Sequence, residues 1–263
     1  MPAGLEQLLQ MADYVISSAH FPQGWTGEQC LGDALVVTLS RLPHARWVIT
    51  TLGSRGSVLL ERPQPGQETA AAAAAEPVVL EELVSQLFDQ AAATSAAADA
   101  DADGQGMPAC ISSSGVAIHT GGTASSAAAC SLRLQRGEAE TQRVAQAAAQ
   151  AAAAAAAANA DAGNASSYAM GSSSSSSEAM PAGEVIARVT AVQAARLPAG
   201  AVQDTTGAGD SFIGSMLYGL ATGMAVQRAM QLATVVAACK CTRLGARPGL
   251  PRRSNLSASL LAP

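Results

Sequence analysis

The sequence predicts an α/β chain: a doubly wound sheet interrupted by a long low-complexity insertion. Helix-spaced apolar residues alternate with short β-branched runs along residues 1–63 and again along 184–263. A turn of very small residues opens a helix near residue 207, as in α/β folds that bind anions. Between the two segments, residues 64–183 are dominated by alanine and serine, with Ala70–Ala75, Ala151–Ala158 and Ser172–Ser177 as unbroken runs.

The elements read as follows. Leu5 to Met11 has the spacing of a short helix, and Tyr14 to Ile16 is a strand. Thr26 to Ser40 reads as one helix with Thr26 as N-cap, because Leu31, Leu35 and Leu39 recur every fourth residue. Arg46 to Thr51 is a buried strand, Gly53 and Gly56 make a tight turn, and Ser57 to Glu61 returns as a second strand. Residues 64–183 are expected to be largely disordered, since this composition buries too little apolar area to offset chain entropy. Parts around 139–160 have transient helix propensity, and Val78 to Phe88 is an apolar helical island able to dock. Glu184 to Ala191 and Gln193 to Leu197 are further strand material. Helices are expected from about Gly209 to Leu220 and from about Ala225 to Arg243. Residues 1–63 and 184–263 would then form the two parts of one modest α/β domain.

Composition excludes several classes of function. Lys and Arg number 15 against 20 Asp and Glu, with no dense basic run, so a general nucleic-acid binder is excluded. No stretch of strongly apolar residues is long enough to span a bilayer. The first twenty residues carry Glu6 and Asp13 and no basic, apolar leader, so the expected compartment is intracellular. Five cysteines without regular spacing read as reduced, mostly buried thiols, and Cys239-x-Cys241 lacks the second pair of a zinc site.

The chemistry is concentrated in Val202-Gln-Asp-Thr-Thr-Gly-Ala-Gly-Asp-Ser-Phe-Ile-Gly-Ser215. Gly207, Ala208 and Gly209 let the backbone come very close to a ligand. At a helix start they present free N–H groups and the positive dipole end to one point, which suits a phosphate. Asp210 lies in the first turn of that helix. Read alone, it is a first-turn helix stabiliser. Beside a phosphate, its negative charge has a use as proton acceptor for an attacking hydroxyl.

Asp204-Thr-Thr-Gly-Ala-Gly-Asp210 followed by Ser211-Phe-Ile-Gly-Ser215 resembles the C-terminal signature of the ribokinase-type (PfkB) carbohydrate kinases. The resemblance implies a ribokinase-like fold and ATP-dependent phosphorylation of a sugar, or less commonly a nucleoside, with Mg²⁺ on the phosphates. Carried over residue by residue, Asp210 is the general base and Gly207, Ala208 and Gly209 form the anion hole. Thr50-Thr51-Leu-Gly53-Ser-Arg-Gly56 resembles the family's T-x-G-x-x-G strand-turn, which puts Thr51, Gly53 and Gly56 at the nucleotide; alone, such a turn is more often a hairpin. Gly245-Ala-Arg-Pro-Gly-Leu-Pro251 resembles the loop that, with the Asp-Thr-Thr turn, binds a monovalent cation such as K⁺ in relatives. Asp204 and Thr206 would then be ligands, while the residues alone read equally as a helix stop. Ala237 and Cys241 resemble the adenine-pocket wall of ketohexokinase-like members, with core packing as the plain alternative.

The chain also departs from the family. Where relatives carry N-x-x-E, the Asn and Glu positions are Ser18 and Phe21, a loss shared with the ketohexokinase-like branch. The glycine-rich sugar-binding N-terminal half of the family has no counterpart here, so the resemblance covers the nucleotide half only. A true N-terminus upstream would leave an organelle open beside the cytoplasm, and an unpaired sheet edge favours a homo-oligomer. The alternatives to a sugar kinase are a non-catalytic nucleotide-binding remnant or fragment, and a scaffold built on the alanine-serine block.

Overall fold

A computed structural model of the chain describes residues 4–63, 76–101, 108–126, 132–137 and 184–262, with side chains of 94–101 left aside. Its centre is a seven-stranded mixed sheet. The strands are β1 (Tyr14–Ser18), β2 (Trp47–Thr51), β3 (Gly56–Glu61), β4 (Val78–Val79), β7 (Thr123–Ser125), β8 (Leu132–Gln135) and β9 (Glu184–Gln193); β5 (Cys110–Ile111) and β6 (Ala117–Ile118) form a separate hairpin. The order is β1-β2-β3-β9-β8-β4, with β7 also on β9. β1 runs parallel to β2 and β4 parallel to β8, while β3, β9, β8 and β7 pair antiparallel.

Helices cover both faces, in agreement with the α/β class read from the sequence. Side chains alternate across a strand, so one strand feeds two cores. Val48, Val58, Leu60, Val185, Ala187 and Val189 pack on one face. There they meet α3 (Leu31–Arg41), through Leu35, Val36 and Leu39, and α4 (Leu80–Asp101), through Leu80, Val84 and Leu87. Trp47, Ile49, Leu59 and Val192 point to the other face. They meet α5 (Ala208–Ala221), through Phe212 and Met216, and α6 (Val226–Cys241), through Met230, Leu232, Ala233 and Val235. The short helices α1 (Leu5–Gln10), α2 (His20–Thr26) and α7 (Ala258–Leu261) complete the set among the described residues.

Besides the strand read over Gln193 to Leu197, of which only Gln193 belongs to β9 and Arg196 forms an isolated bridge, two sequence expectations are corrected. The helix read over Thr26 to Ser40 is two helices. Gly27, at φ 84, ends α2 in a left-handed cap, and α3 starts only at Leu31. The Thr26 hydroxyl donates to the Pro22 carbonyl at 2.7 Å instead of capping α3. That end is served by the Glu81 carboxylate, which accepts from the Gly32 N–H at 2.8 Å and the Cys30 thiol at 3.3 Å. Gly32 allows the approach, since a Cβ there would lie 2.7 Å from the Glu81 nitrogen.

The second correction concerns the extent of the insertion. Within 64–183, the Val78–Phe88 island is β4 followed by the start of α4, and Leu80, Leu87 and Ala91 are fully buried against the sheet. β8 continues the sheet beyond β9, and β7 pairs with the other end of β9 along the same edge. The docking of the island follows from its apolar spacing, while composition hid β7 and β8, which are short and mixed in composition. The runs Ala70–Ala75, Ala151–Ala158 and Ser172–Ser177, and the helical tendency around 139–160, lie outside the described residues. Among the described residues no helix is long and apolar enough to cross a membrane.

Leu87 tests this directly. Leu87→Ala removes a side chain that is 2% exposed, so it should cost roughly 2–5 kcal/mol in denaturant unfolding. An unchanged unfolding curve would mean that α4 does not belong to the core.

Candidate nucleotide-phosphate site

The site is built where the end of α6 meets the start of α5. The loop between β9 and α5 returns across the C-terminus of α6, where the Gln203 and Asp204 N–H groups donate to the Cys241 carbonyl at 2.8 and 3.3 Å. These bonds satisfy a helix-end carbonyl that would otherwise lack a partner. The Asp204 carboxylate then ties three segments. Its Oδ1 accepts from the Thr206 N–H at 2.8 Å, its Oδ2 accepts from the Gly245 N–H at 2.7 Å, and the Lys240 Nζ lies 3.7 Å from Oδ2. The Thr206 amide and hydroxyl, then the Gly245 amide, hold the Asp204 carboxyl at about 2, below the usual carboxylate range.

This anchored turn delivers Gly207 at φ 81, ψ 4 as the N-cap of α5. A Cβ at Gly207 would lie 3.0 Å from the Ala246 Cβ, so both the backbone conformation and the 245–251 loop require glycine here. No side chain caps α5, which leaves amides of its first turn open to an anion. The Ala208 N–H is an exception: it donates to the Thr205 carbonyl at 3.1 Å. Of the three small residues expected in an anion hole, Ala208 therefore has its amide committed to the turn. Gly209 and Asp210 are exposed.

Two cavities flank this helix start. One, of about 430 Å³, is lined by Ala208, Gly209 and Phe212 of α5. The same cavity is lined by Thr51, Gly53 and Gly56 from the β2–β3 turn and by Ala237 and Cys241 from α6. The fold thus gathers into one space every residue that the sequence assigned to the nucleotide. The other, of about 540 Å³, is lined by Gly207, Asp210, Ser211 and Gly214, together with Arg247 and Arg253. The helical repeat explains the division: positions 208 and 212 share one face, and 207, 211 and 214 share another.

Not every gathered residue is there for a ligand. A Cβ on Gly56 would lie 2.0 Å from the Val192 carbonyl oxygen, so close approach of β9 dictates that glycine. The Thr51 hydroxyl donates to the Ser17 carbonyl at 3.3 Å. Gly53, at φ 61, has open space where a Cβ would be. Cys241 is largely buried, and burial pushes its thiol up. Ser18 ends β1, and Phe21 stacks on Trp25 with ring centroids 6.0 Å apart, so an apolar contact replaces the family's carboxylate.

Residues 138–253 match the model of the pfkB family carbohydrate kinases. This segment is similar to ribokinase-type (PfkB) sequence. A 78-residue stretch is 33% identical to a ribokinase of Lactococcus lactis subsp. lactis (strain IL1403), over 30% of this chain and 24% of that protein. Among solved structures, a ribokinase from Thermotoga maritima aligns with a TM-score of 0.43 and 14% identity, over 97% of this chain and 44% of that one. The chain thus spans less than half the length of the ribokinases it matches.

The PfkB resemblance implies a monovalent cation at Asp204 and Thr206, and the residues present do not fit one. Both Asp204 carboxylate oxygens already accept backbone N–H groups, and the Asp204 carbonyl accepts from the Lys240 Nζ at 2.6 Å. A second unit charge about 4 Å from that ammonium would be opposed by about 4 kcal/mol at an effective dielectric constant of about 20. Lys240 is the site residue that the sequence reading passed over. The available signal was a lone lysine inside the apolar run Ala237-Ala-Cys-Lys-Cys241. Among the described residues, no group of three or more His, Cys, Asp or Glu could hold a metal ion.

Two outcomes are expected. Because the Asp204 carboxyl is depressed to about 2, its contribution to stability is complete above about pH 4, the ordinary carboxylate pKa. It is lost as pH falls through the folded value. Asp204→Asn should therefore flatten the dependence of unfolding free energy on pH below about 4, as followed by equilibrium unfolding. Gly207→Ala should destabilise by roughly 1–3 kcal/mol through left-handed strain, measured in the same way.

Proposed function

We propose that the protein is a phosphotransferase that moves the γ-phosphoryl group of ATP to a sugar hydroxyl, with Asp210 as general base. The observation that carries this reading is the double exposure of one helix start. The first turn of α5 lines the nucleotide-side cavity through Ala208 and Gly209, and the neighbouring cleft through Gly207 and Asp210. A phosphate chain entering from the first cavity would meet the α5 amides, and an acceptor in the second would meet the carboxylate.

The Asp210 carboxylate takes the proton of the acceptor hydroxyl as its oxygen bonds to the γ-phosphorus. The bond from that phosphorus to the β–γ bridging oxygen breaks, and ADP leaves with the electron pair. The Gly209 amide and the helix dipole stabilise charge on the moving group, which is where such stabilisation lowers a barrier most. Mg²⁺, when bound, would neutralise phosphate charge; with no group of three or more His, Cys, Asp or Glu among the described residues, it would be held mainly by phosphate oxygens. Thr51, Gly53, Ala237 and Cys241 would contact the nucleoside through shape and apolar area rather than charge.

The test pairs ATP binding with sugar-dependent ADP release. Asp210→Asn should lower ADP release roughly 10²–10⁴-fold and leave ATP affinity nearly unchanged. ATP binding by the unaltered protein without ADP release for any sugar would replace this reading with non-catalytic nucleotide binding.

A further inference from the structure

Lys240 is 0% exposed at the last turn of α6. A lysine is almost never this buried unless its charge is paired. The pairing here is specific: the Nζ donates to the Asp204 carbonyl at 2.6 Å and lies 3.7 Å from the Asp204 Oδ2. Both are oxygen donors of the kind that a monovalent cation would use, and both belong to a residue that the resemblance makes a cation ligand. The ammonium is a compact unit charge with three N–H donors, so it can satisfy oxygen atoms that would otherwise surround a dissolved ion. It is also favoured at a helix C-terminus, where the dipole is negative. The loop is closed around it. A Cβ on Gly249 would lie 2.2 Å from the Lys240 carbonyl oxygen, so the 245–251 loop packs directly on this residue.

We propose that the Lys240 ammonium is a built-in replacement for the monovalent cation. It organises the Asp204 turn, and through it the start of α5, without dissolved K⁺ or Na⁺. The inference concerns the architecture of the turn and does not require phosphoryl transfer, so its readouts are stability and ion binding rather than turnover.

The experiment compares the full chain in KCl, NaCl and tetramethylammonium chloride at equal ionic strength, by thermal unfolding and by thallium-205 NMR with Tl⁺ as the probe ion. The unaltered protein should unfold at the same temperature in all three salts and show no saturable Tl⁺ binding. Lys240→Ala and Lys240→Met should lose several degrees in tetramethylammonium chloride. Lys240→Ala, which opens space, should recover part of that loss saturably with KCl and should bind Tl⁺. A saturable, K⁺-specific rise in Tm of the unaltered protein, or stoichiometric Tl⁺ binding to it, would overturn the proposal. So would variants as stable as the parent in tetramethylammonium chloride. Should neither variant fold, the titration of the unaltered protein decides alone. A chain that proves unable to transfer phosphate leaves these measurements and their meaning intact.

Discussion

The Asp204 carboxylate is the constraint around which the functional corner is arranged. It joins its own turn through Thr206, the 245–251 loop through Gly245, and α6 through Lys240. A carboxylate that accepts several N–H groups favours its ionised form strongly, because each donor stabilises the charge it points at. The same contacts fix the direction in which the chain leaves Asp204. That direction places Gly207 in the left-handed conformation from which α5 begins.

Two helix ends of opposite polarity meet at this turn. The C-terminus of α6 presents carbonyls, of which that of Cys241 is served by the Gln203 and Asp204 amides. The N-terminus of α5 presents amides, which no side chain serves. An anion therefore has one attractive place to go, and the loop beside it carries its own counter-charge. The small residues at 207–209 matter for access as much as for conformation, because the cavities on either side come within reach of the same helical turn.

Residues 76–101 show how much of a fold can be carried by a few side chains. Leu80, Val84 and Leu87 dock α4 beside α3, and Glu81 serves the first turn of α3 from 49 positions away along the chain. The apolar spacing of Val78 to Phe88 marks the first contact in the sequence, whereas the second has no local signature. A surface glutamate looks like any other until the helix end it faces is known. The same holds for β7 and β8, which are short, of mixed composition, and ordered by the edge of β9.

The sequence by itself determined the small-residue turn at 207–209, the position of Asp210, the β2–β3 turn and most helices and strands outside 64–183. These are set by neighbours close along the chain: a helix start made of small residues, a two-glycine reversal, apolar spacing of three to four. It also separated α5 and α6 correctly, because a helix-ending glycine, Gly223, lies between them. Only the tertiary structure decided that Thr51, Gly53, Ala237 and Cys241 share one cavity with Gly209, that Gly56 answers to β9, and that a buried lysine fills the Asp204 loop. Those facts depend on distances between segments up to about 190 positions apart, and a single chain of letters carries pairing across such separations only through the packing that follows from folding.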